Sequence, residues 1–188
     1  MKLLKNCLFL LMISFAAQAD EVITRVIDTH AGHASVTKFS DGSIMVYDAG
    51  RYSYADHIVK QVETFATDGV VDLLVLSHTD GDHVGAVPEL FAKFDIKKVI
   101  RLGYVRCEDR PQSRRSCPWY FANEAIDKAE IEGKTVDINL TETEESIVGN
   151  QYSFGETTLS ILSAFNIPPE SWGLTTGGSE WLKATCRS

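Results

Sequence analysis

Apolar segments alternate with turn residues along the first part of the chain. Three of these segments predict strands at residues 22–27, 34–39 and 43–48, and Asp41-Gly42 between the last two is a strong hairpin signal. The segment from Tyr54 to Thr67 carries apolar residues at helical spacing and is closed by Asp68-Gly69. The pattern therefore predicts antiparallel strands followed by an amphipathic helix.

The middle of the chain alternates strand-like and helix-like segments. Residues 70–76 form an apolar run interrupted by Asp72, which suits a strand buried on both faces. The predicted elements that follow are a helix at 86–94, a strand at 98–104, a helix at 119–131 and strands at 135–140, 146–154 and 157–164. Gly155 indicates a hairpin between the last two strands. Interleaved strands and helices without internal repeats predict an α/β layered domain.

The two ends of the chain differ from its body. Residues 1–19 carry Lys2 and Lys5, then an apolar run, then Ala17-Gln18-Ala19, which has the small-x-small form of a signal-peptidase site. The alternative is a membrane anchor, but the apolar run is shorter than the roughly 20 residues that a spanning helix needs. We expect a signal peptide at 1–19 and a periplasmic or secreted domain at 20–188 with no stable membrane span. Residues 166–188 read as an irregular tail.

Charge is distributed unevenly. The formal net charge of −8 disfavours a general attraction to polyanions. Seven basic residues nevertheless fall within nineteen positions: Lys97, Lys98, Arg101, Arg106, Arg110, Arg114 and Arg115. This stretch is either a local basic patch or a solvated loop, and the sequence leaves both interpretations open.

Two cysteines bracket the polar, Arg-rich segment at 106–118. An exported protein meets an oxidising compartment, so Cys107 and Cys117 are the expected disulfide pair. A zinc-binding role for the two is the weaker alternative, because their spacing is long and no histidine lies nearby.

Four potential metal ligands occupy six consecutive positions directly after the predicted buried strand. They are His78, Asp80, Asp82 and His83. Two nearby carboxylates raise each other's pKa, so this crowding is unfavourable unless a cation lies among the side chains. Imidazole nitrogen together with carboxylate oxygen favours Zn²⁺, Mn²⁺ or Fe²⁺ over Mg²⁺ or Ca²⁺. The alternative is an ordinary Asp-Gly surface turn with flanking histidines.

The ten residues from Leu76 to Gly85 resemble the metal loop of the metallo-β-lactamase-fold hydrolases, in the form in which Asp replaces the middle His. That form is typical of the branch similar to the ComEC-type competence proteins, and residues 26–28, 32–34 and 41–50 resemble the opening hairpins of that branch. The resemblance covers residues 22–104 well and 155–165 faintly. It implies an α/β fold of the αββα sandwich type, incomplete in its C-terminal half.

The same resemblance implies two divalent ions, zinc with manganese or iron as alternatives. By matching position, His78 and Asp80 bind one ion and Asp82 and His83 bind the other, while Asp48 supports the loop by orienting an imidazole. Asp82 is the implied catalytic residue, because it orients the hydroxide that attacks the substrate. The implied function is an exported metal-dependent hydrolase, with a small-molecule or nucleic-acid phosphodiester favoured over a lactam or ester.

The chain also departs from the family pattern. Its first turn reads Ala31-Gly32-His33 where the branch has Gln-Gly-Asp. His30 and His33 are interpreted as exposed turn residues, with extra metal ligands as the alternative, and His57 is interpreted as a surface residue. The family takes further ligands from later positions, whereas this chain has no histidine after His83. The alternative function is therefore a catalytically inactive metal-binding module, or the product of a truncated or frameshifted gene.

Overall fold

The computed structural model describes residues 21–102, 111–140 and 146–164. The strands in these ranges are β1 (Ile23–Val26), β2 (Ala34–Lys38), β3 (Ile44–Ala49), β4 (Val70–Val71), β5 (Leu73–Val75), β6 (Asp95–Ile96), β7 (Lys98–Arg101), β8 (Val136–Asn139), β9 (Gln151–Phe154) and β10 (Thr157–Ser160). The helices are a short 3-10 helix (Tyr52–Tyr54), α1 (Ala55–Glu63), α2 (Val87–Lys93) and α3 (Pro118–Ile131). The expected signal peptide and the irregular tail lie outside the described residues.

A mixed sheet of six strands organises the described residues. Its strand order is β1-β2-β3-β5-β7-β8. The first three strands are antiparallel, whereas β3, β5, β7 and β8 run parallel. The predicted hairpin turn joins β2 to β3, and the amide of Gly42 donates to the carbonyl of Phe39 at 3.0 Å. The α/β class expected from the sequence is confirmed.

Both faces of the central strands of this sheet are buried. Neighbouring residues of one strand point to opposite faces, so Leu74 and Val99 join one apolar cluster while Leu73 and Ile100 join another. The three helices contribute to the first cluster: Ile58, Val62, Val87, Leu90, Trp119 and Ile126. The hairpin of β9 and β10 lies against the second cluster, where the rings of Phe39 and Phe154 stack with centroids 4.3 Å apart.

Three predicted strands differ from the observed ones, and the simplest difference is in the expected strand at 157–164, which ends at Ser160. The expected strand at 70–76 is divided at Asp72, whose carboxylate accepts a hydrogen bond from the amide of Ile44 at 2.7 Å. As a result β4 pairs with β6 in a separate two-stranded sheet, while β5 joins the main sheet. The expected strand at 146–154 begins only at Gln151, because residues 147–150 form a turn closed by a 3.0 Å bond from Asn150 N to Ile147 O.

The parallel strands fix where a site can form. Their carboxyl ends meet at one edge of the sheet, and in open α/β sheets ligands bind beyond that edge. Asp48 lies at the end of β3, and the segment carrying His78 to His83 follows β5 directly. Among the described residues, no helix is long and apolar enough to cross a membrane.

Candidate metal centre

The candidate metal loop, residues 77–86, is joined through its main chain to the end of β3. The amide of Ala49 donates to the carbonyl of His83 at 2.5 Å, and the amide of Ala86 donates to the carbonyl of Ala49 at 3.1 Å. A third bond, from Gly85 N to Gly50 O, measures 2.7 Å. The loop therefore has a defined backbone path that does not depend on the candidate ligand side chains.

Two further segments close around the loop. The amide of His33 donates to the carbonyl of Asp82 at 3.1 Å. Gly32 has a φ of +88° and packs so closely that a β-carbon there would overlap the backbone of Asp82. On another side, a β-carbon at Gly81 would lie 2.7 Å from Cγ of Pro118, the first residue of α3. The first turn and α3 thus both contact the loop directly.

Asp48 is buried, with 1% of its surface exposed, and it binds both ends of the loop. Its Oδ1 accepts a hydrogen bond from the amide of Ser77 at 2.7 Å. Its Oδ2 accepts one from Nδ1 of His83, also at 2.7 Å. Since an ionised carboxylate only accepts, the proton of that imidazole belongs on Nδ1 and its Nε2 keeps a free lone pair.

Ser77 extends the same network to the second histidine. Its hydroxyl donates to Oδ2 of Asp48 at 2.7 Å and lies 2.8 Å from Nδ1 of His78. With the hydroxyl proton committed to Asp48, the oxygen accepts from His78 Nδ1–H, so Nε2 of this ring also keeps its lone pair. One carboxylate therefore sets the tautomer of both His78 and His83. Apart from its position beside His78, nothing in the sequence indicates this role for Ser77.

The two imidazoles and one carboxylate lie close together. The ring centroids of His78 and His83 are 4.0 Å apart, and Nε2 of His78 lies 3.6 Å from Oδ2 of Asp80. Two ligands about 2.1 Å from a tetrahedral zinc ion are about 3.4 Å apart, so the His78–Asp80 spacing fits a shared ion. Within the described ranges, however, no three His, Cys, Asp or Glu side chains form a group that could hold a metal.

Asp82 lines a neighbouring cleft of about 490 Å³. Arg51, Tyr52 and Ser53 contribute one part of its lining, and Arg115 contributes another. The cleft was not predicted, because nothing in the sequence indicates that residues 51–53 and 115 approach the same loop.

Tyr47 is a second neighbour that the sequence did not indicate. Burial, followed by the charge of Asp48, raises the pKa of its phenol, while a hydrogen bond with Ser77 acts in the opposite direction. The hydroxyl therefore stays protonated at neutral pH. Its ring packs against the edge of His33, with centroids 5.8 Å apart.

The three histidines outside the loop differ in their exposure and contacts. His30 and His57 are exposed, as expected, and His30 stacks on Tyr54 with a centroid distance of 6.2 Å. His33 was expected to be an exposed turn residue, and this was wrong. It is partly buried, because its amide contacts the metal loop and its Nε2 lies 3.2 Å from the hydroxyl of Ser35.

The described members of the basic stretch do not form one free positive surface. Among its described members, Lys97 pairs with Asp95, Arg101 is buried against Asp127 and Asp137, and Arg114 pairs with Glu89. Lys98 lies over the ring of Tyr152. Arg115 is different, since no ion pair joins it to any residue in the described ranges.

The predicted disulfide falls partly outside the described residues. Cys117 is disulfide-bonded and buried at the start of α3. Its expected partner, Cys107, lies in the undescribed segment 103–110, so the Cys107–Cys117 pairing stays a prediction.

Comparisons with known proteins give only partial matches. No protein-family model and no curated protein matches the chain. Among solved structures, a flavodiiron protein from Giardia intestinalis matches 70% of this chain with 14% identity and a TM-score of 0.43. A metallo-β-lactamase from Cronobacter sakazakii with a HARLDQ motif matches 72% of it with 16% identity and a TM-score of 0.39.

The chain spans 27% of the flavodiiron protein and 45% of the metallo-β-lactamase. Because both TM-scores lie below 0.5, neither match carries an argument about activity. The placement of the chain in a ComEC-like branch stays a prediction.

Proposed function

We propose that the chain is a metal-dependent hydrolase in which His78, Asp80, Asp82 and His83 hold up to two divalent ions. The supporting observation is that Asp48, directly and through Ser77, engages the Nδ1 atoms of two adjacent imidazoles and leaves their Nε2 atoms outside this hydrogen-bond network. Fixing the tautomer and orientation of ligand histidines in this way is typical of metal sites. Zinc fits the donor set best, with manganese and iron as alternatives.

When bound, a divalent ion would supply a hydroxide nucleophile at neutral pH and would polarise the scissile group. The Asp82 carboxylate would orient the attacking group by accepting a hydrogen bond from it. His78 and His83 keep their ring orientation through the Asp48 network, so they need no rearrangement before ligand binding. A phosphodiester is the proposed substrate, since two arginines line the cleft next to Asp82.

Zinc stoichiometry tests the ligand assignment. Chelator-treated protein would be reloaded with zinc, dialysed and analysed for bound metal beside His78→Ala, His83→Ala and the surface control His57→Ala. We expect His78→Ala and His83→Ala each to bind at least one equivalent of zinc less than the wild type. The control His57→Ala should bind as much zinc as the wild type. Equal zinc in all four proteins would contradict the assignment.

Turnover tests the reaction separately. A bis-aryl phosphodiester reporter and a lactam reporter would be assayed with the wild type and with Asp82→Asn. We expect the phosphodiester to be cleaved and Asp82→Asn to reduce kcat by about 100-fold, as is usual when a positioned acid or base is removed. Faster cleavage of the lactam would reject the substrate class.

An inactive metal-binding module is the second candidate. It is favoured by the sequence, which has no histidine after His83 for the ligand positions that the resembled family takes from later in the chain. Zinc binding that requires His78 and His83, together with no cleavage of either reporter, would support it over the hydrolase.

Export is also part of the proposal and rests on the leader-like residues 1–19. The N-terminal sequence of the protein recovered from a periplasmic fraction is expected to begin at Asp20. A start at Met1 in the recovered protein would exclude cleavage at this site.

A further inference from the structure

The cleft beside the metal loop is lined by charges of both signs. Arg51 and Arg115 contribute two positive charges, and Asp82 contributes one negative charge. Both arginines are exposed, and no ion pair or side-chain hydrogen bond ties either of them to another residue in the described part of the chain. In a chain with a net charge of −8, two unneutralised guanidinium groups lining one cleft are a local exception.

The backbone that carries Arg51 is fixed. Next to it, the carbonyl of Gly50 accepts the 2.7 Å bond from Gly85, and the carbonyl of Arg51 itself accepts a 3.0 Å bond from the amide of Tyr54. A β-carbon at Gly85 would overlap the backbone at Arg51 and Tyr52, so the two segments are in close contact. Arg51 thus projects from an ordered turn at the edge of the metal loop.

The backbone that carries Arg115 is fixed by its neighbour. The guanidinium of Arg114 pairs with Glu89 of α2 and donates to the carbonyl of Gly85 at 2.5 Å. On the other side, the hydroxyl of Ser116 donates to the carbonyl of Ser113 at 2.7 Å. Arg114 therefore anchors the segment to the metal loop, and the adjacent Arg115 is left available to a ligand.

We propose that Arg51 and Arg115 form a phosphate-binding subsite that holds a phosphate group of the substrate next to Asp82. A carboxylate has two oxygens in one plane, which a single guanidinium satisfies with two parallel hydrogen bonds. A phosphate presents its oxygens tetrahedrally and can face two guanidinium groups at once. The pair of arginines therefore selects phosphate over carboxylate. The subsite rests on the proposed function in that it serves the substrate of the same site.

Calorimetric titration of chelator-treated protein with phenyl phosphate and with benzoate tests the subsite without turnover or metal. The variants are Arg51→Gln and Arg115→Gln, with Arg25→Gln as the matched control, because Arg25 is an exposed arginine bonded to Gln61 and Thr64 away from the cleft. Each cleft variant should weaken phenyl phosphate binding about tenfold, since a charge-assisted hydrogen bond is lost. The control should bind as the wild type does.

Asp82→Asn should change the affinity for phenyl phosphate in the opposite direction. It removes the negative charge from the cleft lining, so phenyl phosphate should bind the chelator-treated variant more tightly than the wild type. Circular dichroism of every variant establishes that it is folded. Wild-type affinity in both arginine variants, benzoate binding as tight as that of phenyl phosphate, or no phosphate binding by either the wild type or Asp82→Asn would overturn the subsite.

The proposed function can fail separately. Arginine-dependent phosphate binding by a protein that cleaves no phosphodiester would support the subsite and reject the hydrolase. Cleavage of the phosphodiester reporter with an unchanged KM in both arginine variants would support the hydrolase and reject the subsite.

Discussion

Asp48 shows how one residue can combine several constraints. Its φ is +58°, a left-handed conformation that Asp and Asn tolerate better than most other residues. In that conformation its buried carboxylate reaches the amide and hydroxyl of Ser77 and the ring of His83. Asn can adopt the same backbone conformation, so the substitution Asp48→Asn changes the hydrogen bonding with little change in backbone strain.

Asp48→Asn should reduce both stability and zinc affinity. The new NH2 group of the asparagine would face Ser77 and His83, which already donate hydrogen bonds to this position. A buried donor would then lack an acceptor, and the free energy of unfolding should fall by about 1–3 kcal/mol. Loss of the imidazole partner should weaken zinc binding by about 10-fold to 100-fold. Urea unfolding and a competitive zinc titration measure the two effects.

Asp68→Asn is the matched control for this prediction. Asp68 is an exposed turn residue whose carboxylate accepts one bond, from the amide of Val70 at 3.0 Å. The control should be close to wild type in both measurements. Equal zinc affinity in Asp48→Asn and the wild type would show that Asp48 does not orient a metal ligand.

At the scale of elements, the contact between the first turn and the metal loop can be tested with a pair of glycines. Gly32 and Gly42 have φ values of +88° and +92°, so alanine is strained at both positions. Only at Gly32 would the added β-carbon also overlap the backbone of Asp82, since nothing lies within 4 Å of the corresponding point at Gly42. The two substitutions therefore differ in packing while sharing the backbone strain.

Gly32→Ala should be less stable than Gly42→Ala by about 1–3 kcal/mol, the usual cost of forcing an extra carbon into a packed site. Gly32→Ala should also lower the zinc content of the protein, because the added β-carbon would displace the backbone of Asp82. Thermal unfolding and metal analysis of the two variants provide the comparison. Equal stability would mean that the turn moves away from the loop without cost.

The elements themselves were predictable where local sequence determines them. The Asp41-Gly42 turn and the helical spacing of Ile58 and Val62 gave a hairpin and a helix that the structure contains. The division of the strand at Asp72 was not predictable, since it depends on Val70 pairing with Asp95 far along the chain. The candidate ligands could be named from their spacing along the chain and stay a prediction, whereas the shared cleft of Arg51 and Arg115 could not be foreseen, because it arises from tertiary packing.

On the scale of the whole molecule, the buried centre of the sheet should be its most stable part. Strands β3 and β5 have neighbours on both sides and contribute to apolar clusters on both faces. In contrast, every residue of the edge strand β1 is exposed, and among the described strands β9 and β10 pair only with each other. Local opening should therefore be easiest at β1 and at the β9–β10 hairpin.

Hydrogen exchange measured by mass spectrometry tests this gradient. Amides of β3 and β5 should exchange at least about 100-fold more slowly than those of β1, β9 and β10, because the former require a larger part of the molecule to open. Uniform protection across all five strands would indicate that the described residues open as one unit.

The main-chain bonds around the metal loop have an evolutionary consequence. Carbonyls and amides at His33, Ala49 and Gly50 hold the path of the loop from Ser77 to Ala86, and none of these bonds uses a candidate ligand side chain. The ring of His83, however, is also a partner of the buried carboxylate of Asp48. Substitution of Asp82 can therefore change the donor set of the proposed site without first solving a folding problem, whereas substitution of His83 cannot.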